Sequence, residues 1–239
     1  MPLPPSVLSI PGVQPLEMEV VEAAELGAHM RRIVVSAPNL GELSYQPGQD
    51  VMLVLGRAGD RPLSRRYTIR SLDQARRLLE LNIVSHGIDG PGARWAEAAE
   101  PGSRINGVGP RGKIFLDLAA DWHLFLADAS GAPASLAMLE ALPPDVPAFA
   151  LLELSHALPH SATGKHTVQW LLDAPLADAL RTFRLPEGQG HAYIAGEVQQ
   201  VNALREIAIQ LGLTPEQVSA KAYWGRGKPN APRGEPESP

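Results

Sequence analysis

The chain has 239 residues, of which 44% are hydrophobic and 20% charged, with a formal net charge of -5 and no cysteine. That is enough for one large domain or two small ones with a real core, and the negative balance argues against a nucleic-acid partner. The missing thiols exclude disulfides, cysteine nucleophiles, thiolate zinc sites and cysteine-ligated iron–sulfur clusters.

Any redox chemistry must therefore run on an organic cofactor or on a metal that the substrate brings. No uncharged apolar run reaches the ~20 residues of a bilayer crossing. Met1-Pro2-Leu3-Pro4-Pro5 lacks the basic start of a secretory signal. The chain reads as cytoplasmic, with no membrane insertion.

Residues 1–16 are proline-rich and read as loosely ordered. Six strand-like runs follow: Glu17–Glu22, Met30–Ser36, Asp50–Leu55, Arg65–Ser71, Leu78–Ser85 and Ser103–Val108. Turn signals such as Gln46-Pro47-Gly48 separate them. Short strands at this spacing predict an antiparallel barrel or sandwich. A glycine-rich turn at His86–Gly92 leads into one short helix, with Pro91 in the first turn and Asp89 or Gly90 as its cap.

After Leu118 strands and helices alternate. Trp122–Ala127, Ala148–Leu154, His191–Ala195 and Ser219–Trp224 read as strands. Pro133–Ala141, Val168–Phe183 (broken at Pro175) and Gln199–Leu211 read as helices. This pattern predicts a small parallel sheet with helices on both faces. The expected division is a β domain over 17–118, an α/β domain over 119–227 and a disordered tail over 228–239.

Arg65-Arg66-Tyr67-Thr68-Ile69-Arg70 carries the densest chemistry. If extended, it places Arg65, Tyr67 and Ile69 on one face and Arg66, Thr68 and Arg70 on the other. Such a strand is either a solvated face or a platform on which a ring stacks and guanidinium groups take a phosphate. The turn at His86–Arg94 supplies what the second reading needs. Its glycines admit backbone N–H groups to an anion, the helix start adds partial positive charge, and Arg94 lies one turn in. Strand and turn together fit a flavin dinucleotide.

Gly107-Val108-Gly109-Pro110-Arg111-Gly112 reads as a turn, with Arg111 able to meet an anion. In the second half, Asp128-Ala129-Ser130-Gly131 ends a strand and opens a helix, where open α/β sheets bind ligands. It is not a G-x-G-x-x-G fingerprint. Glu197 begins a helix after a strand and is either an ordinary N-terminal acid or a ligand contact. His156, His160 and His166 lack helical i, i+4 spacing and read as loop histidines, so no metal site is assigned.

Taken together these stretches resemble the siderophore-interacting protein family, flavin-dependent ferric-siderophore reductases related to the ferredoxin reductases. The resemblance rests on Arg65-x-Tyr67-Thr68-x-Arg70, His86-Gly87-x-Asp89-Gly90-Pro91-Gly92-Ala93-Arg94-Trp95-Ala96 and Gly109-Pro110-Arg111-Gly112. Tyr193-Ile194-Ala195-Gly196-Glu197 and Tyr223-Trp224-x-Arg226-Gly227 extend it. It implies a six-stranded antiparallel FAD-binding barrel followed by a small parallel-sheet domain like those of NAD(P)H reductases. FAD would then meet Arg65, Tyr67, Thr68, Ile69, His86, Ile88, Gly90, Pro91, Gly92, Ala93, Arg94 and Trp224. Tyr67 would stack on the isoalloxazine, Thr68 bond near its reactive edge and Arg65 meet the pyrophosphate.

On the nicotinamide side the resemblance points to Asp128, Ser130 and Glu197. The family's acid-threonine pair is Ala129-Ser130 here, and its glycine before Tyr-Trp is Ala222. Arg57, Arg61, Lys165, Lys221, Arg226 and Lys228 are the candidates for an anionic siderophore. The implied activity is an NAD(P)H-dependent ferric-siderophore or ferric-chelate reductase. A flavin oxidoreductase for another acceptor and a non-enzymatic FAD or ferric-chelate binder are the alternatives.

Overall fold

A computed structural model describes residues 13–58, 61–85, 90–172 and 174–225. His86, Ile88, Arg226, Lys228 and the tail over 228–239, all singled out above, lie outside the described residues, as does most of the proline-rich start. The chain forms two compact units, the first ending at Lys113 and the second starting at Ile114.

The first unit is an antiparallel sheet of β1 (Gln14–Glu25), β2 (Met30–Ser36), β3 (Asp50–Ala58), β4 (Arg61–Thr68), β5 (Ser71–Asp73), β6 (Leu78–Val84) and β7 (Arg104–Arg111). Helix α1 (Pro91–Ala98) packs onto it. The period-2 pattern makes the strands. In β1, Leu16, Met18 and Val20 point inward while Glu17, Glu19 and Val21 are exposed. They join Ile33, Val35, Val51, Leu53, Leu79, Leu81 and Ile83 in one core, each large side chain contributing about 1.5–3 kcal/mol on burial.

The spatial order is β4-β3-β7-β1-β2-β6-β5. Seven strands stand where six were expected, because the run Arg65–Ser71 divides at Ile69–Arg70. The Ile69 N–H donates to Gln49 O (2.9 Å), just ahead of β3, whereas the Arg70 N–H donates to Glu80 O (2.9 Å) on β6. Within two residues the chain leaves one edge of the sheet and joins the other, and so curls the sheet into a barrel.

Gly107–Arg111 belongs to β7 and is not the turn expected. A Cβ on Gly107 would lie 2.7 Å from Met52 O, and one on Gly109 2.8 Å from Val51 Cγ1. These glycines serve the close approach of β3.

The second unit is a parallel sheet of β8 (Trp122–Asp128), β9 (Ala148–Glu153), β10 (His166–Leu171), β11 (Gly190–Glu197) and β12 (Val218–Trp224), ordered β10-β9-β8-β11-β12. Its helices are α2 (Ala132–Glu140), α3 (Leu176–Thr182) and α4 (Val198–Gln210). Central β8 is buried almost throughout, as a strand covered on both faces should be. Leu124, Leu126, Ala192 and Ile194 meet Leu176, Leu180, Val201 and Leu204 of α3 and α4.

The first part of Val168–Phe183, expected as helix, is strand. His166–Leu171 alternates half-buried and exposed residues along an edge position and pairs in parallel with Ala148–Glu153. The β-branched Thr167 and Val168 favour that state. Among the described residues no helix is long and apolar enough to cross a membrane.

Near the amino ends of β8 and β11, His123, Phe125, Tyr193 and His191 form a buried stack. Ring centroids lie 4.7 Å apart for His191–Tyr193 and 5.0 Å for Phe125–Tyr193. The Asp117 N–H donates to Tyr193 Oη (2.7 Å), and Asp117 Oδ2 lies 3.4 Å from His191 Nδ1. Burial, helped by the neighbouring His191, pushes the His123 imidazole down to about 4 from 6.5.

Folding therefore favours neutral His123. Its contribution is complete above pH 6.5 and is lost as pH falls toward 4. The melting temperature of His123→Phe should accordingly fall less steeply between pH 7 and pH 4 than that of the parent. Equal slopes would contradict this assignment.

Candidate functional site

Two surfaces carry the chemistry, one in each unit. In the first, edge strand β4 pairs only with β3. Arg66 clasps it there: Nε donates to Asp50 Oδ1 (2.9 Å) and Nη2 to Asp50 Oδ2 (2.6 Å), with Asp50 buried. Such a two-pronged bond fixes the edge strand as well as its register.

Tyr67, half-buried, packs on the barrel core and faces Trp95 of α1 at 6.5 Å between ring centroids. Desolvation pushes its phenol up to about 12, against the opposing pull of the Arg65 guanidinium, so it stays a proton donor. The Tyr67 hydroxyl occupies the space that a Cβ on Gly92 would need, and the Arg65 stem lies 3.4 Å from the same point. Glycine at 92 is therefore what lets α1 start against the ring.

Helix α1 begins with Gly90 in extended backbone as its N-cap and Pro91 directly after. Gly90 has no side chain to cap the first N–H groups, and among the described residues nothing lies within 4 Å of the position its Cβ would take. Arg65, Tyr67, Gly90, Pro91, Gly92 and Ala93 are thus brought to one surface. A flat ring, a cation and a helix start together suit a planar anionic ligand.

Ile69 is not on that surface. Its side chain is fully buried in the barrel core, its N–H donates to Gln49 O, and its carbonyl accepts from Tyr45 Oη (3.0 Å). The strand turns at this residue, so the alternation that would put Ile69 beside Tyr67 ends one position earlier. Thr68 and Arg70 are both buried, and Arg94 is exposed on α1.

The second surface is the carboxyl edge of the parallel sheet, where Asp128 is the hub. Its Oδ1 accepts from Ser130 N (2.8 Å), Ser130 Oγ (2.6 Å) and Gly131 N (3.2 Å). Its Oδ2 accepts from Glu197 N (2.9 Å) and from the indole Nε1 of Trp224 (2.9 Å). One carboxylate so ties the ends of β8, β11 and β12. Gly196, at φ +152, presses against it: a Cβ there would lie 2.7 Å from Asp128 Cγ.

Glu197 caps α4. Its Oε2 accepts from Gln199 N (2.7 Å) and Gln200 N (3.1 Å), while its Oε1 is buried and has no hydrogen-bond partner among the described residues. An unmet buried acceptor costs about 1–3 kcal/mol. Glu153, at the end of β9, accepts on Oε2 from Leu176 N (2.8 Å) and Gln200 Nε2 (2.8 Å). Sequence reasoning passed over Glu153 and Asp50. For Glu153 a signal existed: like Asp128 and Glu197 it is an acid closing a strand.

The described basic candidates fall in both units. Arg57 is exposed on β3 of the first unit. Lys165 precedes β10 at the amino edge of the parallel sheet, and Lys221 is buried within β12 with Nζ 5.4 Å from the Tyr223 ring centroid. The side chain of Arg61 lies outside the description.

His156 and His160 lie in loops as expected, whereas His166 opens β10, and each of the three has a local neighbour. His156 Nδ1 bonds Ser155 Oγ (3.1 Å), His160 packs on Trp170 (5.6 Å) and His166 Nε2 bonds Pro143 O (3.1 Å). Among the described residues no group of three or more potential metal ligands gathers.

Comparison with known proteins adds identity to this geometry. Residues 56–114 match the siderophore-interacting FAD-binding domain, and residues 120–227 match the siderophore-interacting protein family. The ferric vibriobactin reductase of Vibrio cholerae is 32% identical over 182 residues, covering 70% of this chain and 66% of that protein. The NADPH-dependent ferric-chelate reductase of Escherichia coli is 30% identical over 174 residues, covering 70% and 68%. A siderophore utilization protein from T. fusca superposes with a TM-score of 0.80 at 27% identity, over 92% of this chain and 95% of that one.

Asp128→Ala should destabilise the second unit by about 1–3 kcal/mol, since five donors lose one half-buried charged acceptor. Asp128→Asn should rescue little, because its amide turns an N–H₂ group toward donors. Chemical denaturation measures both, and wild-type stability in either would refute the hub.

Proposed function

Because the chain belongs to the siderophore-interacting protein family, we propose that it is a flavin-dependent reductase. In this reading it takes electrons from NAD(P)H and delivers them to ferric iron held by a siderophore or related chelate. The observation that carries the proposal is the joint surface of Arg65, Tyr67 and the glycine start of α1, inside the segment that matches an FAD-binding domain. The relatives' activities against ferric vibriobactin and ferric chelates support the substrate class.

The residues present fit FAD. The Tyr67 hydroxyl fills the place of a Gly92 side chain, which anchors the ring beside the helix start, while Gly90 leaves the approach to the first turn open. Tyr67 would stack on the isoalloxazine, Thr68 would bond near its reactive edge, and Arg65 would neutralise the pyrophosphate. The backbone N–H groups of Gly90, Gly92 and Ala93 would hold phosphate oxygens, with Arg94 beside them. Trp224, its indole fixed by Asp128, would present a ring on the nicotinamide side.

When bound, FAD supplies the conversion between a two-electron donor and a one-electron acceptor. No side chain of this chain is then required as a general acid or base. Tyr67, with its phenol held protonated, serves by orientation alone. Iron reduced to Fe(II) is a weaker guest for hard oxygen ligands, so reduction favours release. We place this reaction in the cytoplasm, with the first unit as the FAD domain and the second as the donor domain.

The purified protein should be yellow or take up added FAD. Anaerobic NADH or NADPH should bleach its flavin spectrum, and a ferric siderophore should restore it. A colourless protein that binds no FAD would overturn the proposal. Tyr67→Ala should raise the dissociation constant for FAD about tenfold or more, read by flavin fluorescence on titration. Unchanged affinity would remove the stacking role.

A further inference from the structure

Helix α1 has little of its own to hold it in place. Its 8 residues fall short of the roughly 12–15 at which a helix persists alone in water. No side chain caps its start, and no acid in the first turn or base in the last favours its dipole. Glu97, in the last turn, carries the charge that the dipole opposes there. The position of α1 is therefore set from outside.

At the start of the helix the hold is steric, Gly92 resting against the Tyr67 hydroxyl and the Arg65 stem. Midway, Ala96 is fully buried in the barrel core, and Trp95 packs against that core. At the end the hold is polar, and Glu97 makes it twice. Its carbonyl accepts from Arg31 Nη1 of β2 at 2.8 Å, so a cation meets the carboxyl end of the helix. Its side chain accepts through Oε1 from Ser85 Oγ.

Ser85 follows β6 and is only 6% exposed. Its N–H donates to His29 O at 2.7 Å, which fixes it to the segment that enters β2. Glu97 lies five residues beyond Gly92, about 7.5 Å further along the axis. The clasp thus stands apart from the surface formed by Arg65, Tyr67 and the helix start.

Resting on the reading of the first unit as the FAD domain, we propose that Glu97 is a positioning residue for the cofactor, acting through Ser85. The clasp keeps α1 in the pose where Gly92 meets the Tyr67 hydroxyl. Without it the end of the helix is free to lift, and the share of molecules ready for FAD falls. The dissociation constant rises by the same factor. One hydrogen bond of ordinary strength corresponds to about fivefold.

The test is titration of the flavin-stripped full-length protein with FAD, read by flavin fluorescence, beside the melting temperature of the same stripped samples. Ser85→Ala should raise the Kd for FAD about fivefold. Glu97→Ala should do the same. The double variant should bind no worse than the weaker single, because both changes remove one bond. Glu97→Gln keeps a carbonyl oxygen for Ser85 Oγ and should bind FAD within about twofold of the parent.

A pair that only stabilises the fold would lower the melting temperature and leave the Kd at the parent's value. That result refutes the proposal. So do single effects that multiply in the double variant. Weak binding by Glu97→Gln also refutes it, since the charge and not the bond to Ser85 would then matter. Glu97 is exposed on the helix, so its variants carry the comparison even if Ser85→Ala folds poorly. A parent protein that binds no FAD sinks the FAD reading itself, and this inference with it.

Discussion

The first unit depends on the crossing at Ile69–Arg70. Consecutive peptide N–H groups donate to opposite edges of one sheet, to Gln49 O beside β3 and to Glu80 O on β6. A curled sheet left open would expose two unpaired edges. This crossing joins them with a single stretch of chain, so β4 and β5 are one strand shared between two neighbours. The side chains follow from that requirement. Ile69 enters the core because the chain passes through the barrel wall there, and Arg66 holds Asp50 because β4 has a partner on one side only. Arg65 and Tyr67 are left as the residues that face α1.

Much of this was legible in the residues, for physical reasons that differ by element. Met30–Ser36 and Leu78–Val84 carry β-branched and leucine side chains on a half-buried pleat, so pattern and propensity agree. Helix α1 declares itself through Gly90-Pro91. Legibility failed where tertiary pairing outweighed local pattern. Gly107-Val108-Gly109-Pro110 has turn composition, yet β3 approaches too closely for anything but glycine. His166–Leu171 is strand because β9 offers an edge to pair with, which a window of sequence cannot reveal. Ile69 was assigned to the ligand face by extending an alternation past the point where the strand bends.

The candidate site divides in the same way. Arg65, Tyr67 and the glycines of α1 announce themselves by residue type, since few structural roles need a ring, a cation and a glycine turn together. The carboxyl edge of the parallel sheet does not. Asp128, Ser130 and Glu197 have the composition of ligand contacts, but the structure shows two of them bonded mainly to each other and to backbone. Whether an acid ending a strand caps its own helix or faces a ligand is a matter of rotamer and neighbours. The register that puts Trp224 Nε1 on Asp128 lies 96 residues away in the chain.

The two surfaces use helix starts in opposite ways, and the contrast suits a division of labour. In the first unit α1 opens with glycine, and no side chain caps its first N–H groups. In the second, Glu153 and Glu197 accept from the first N–H groups of α3 and α4, and Asp128 accepts from the turn that leads into α2. A resident cofactor must stay bound through many turnovers, which rewards several charged contacts to its phosphates. A donor that leaves after each turnover gains nothing from tight binding shared equally by ground and transition states. Carboxylates of the protein bonded to these backbone N–H groups tie the strand ends to the helices that follow them.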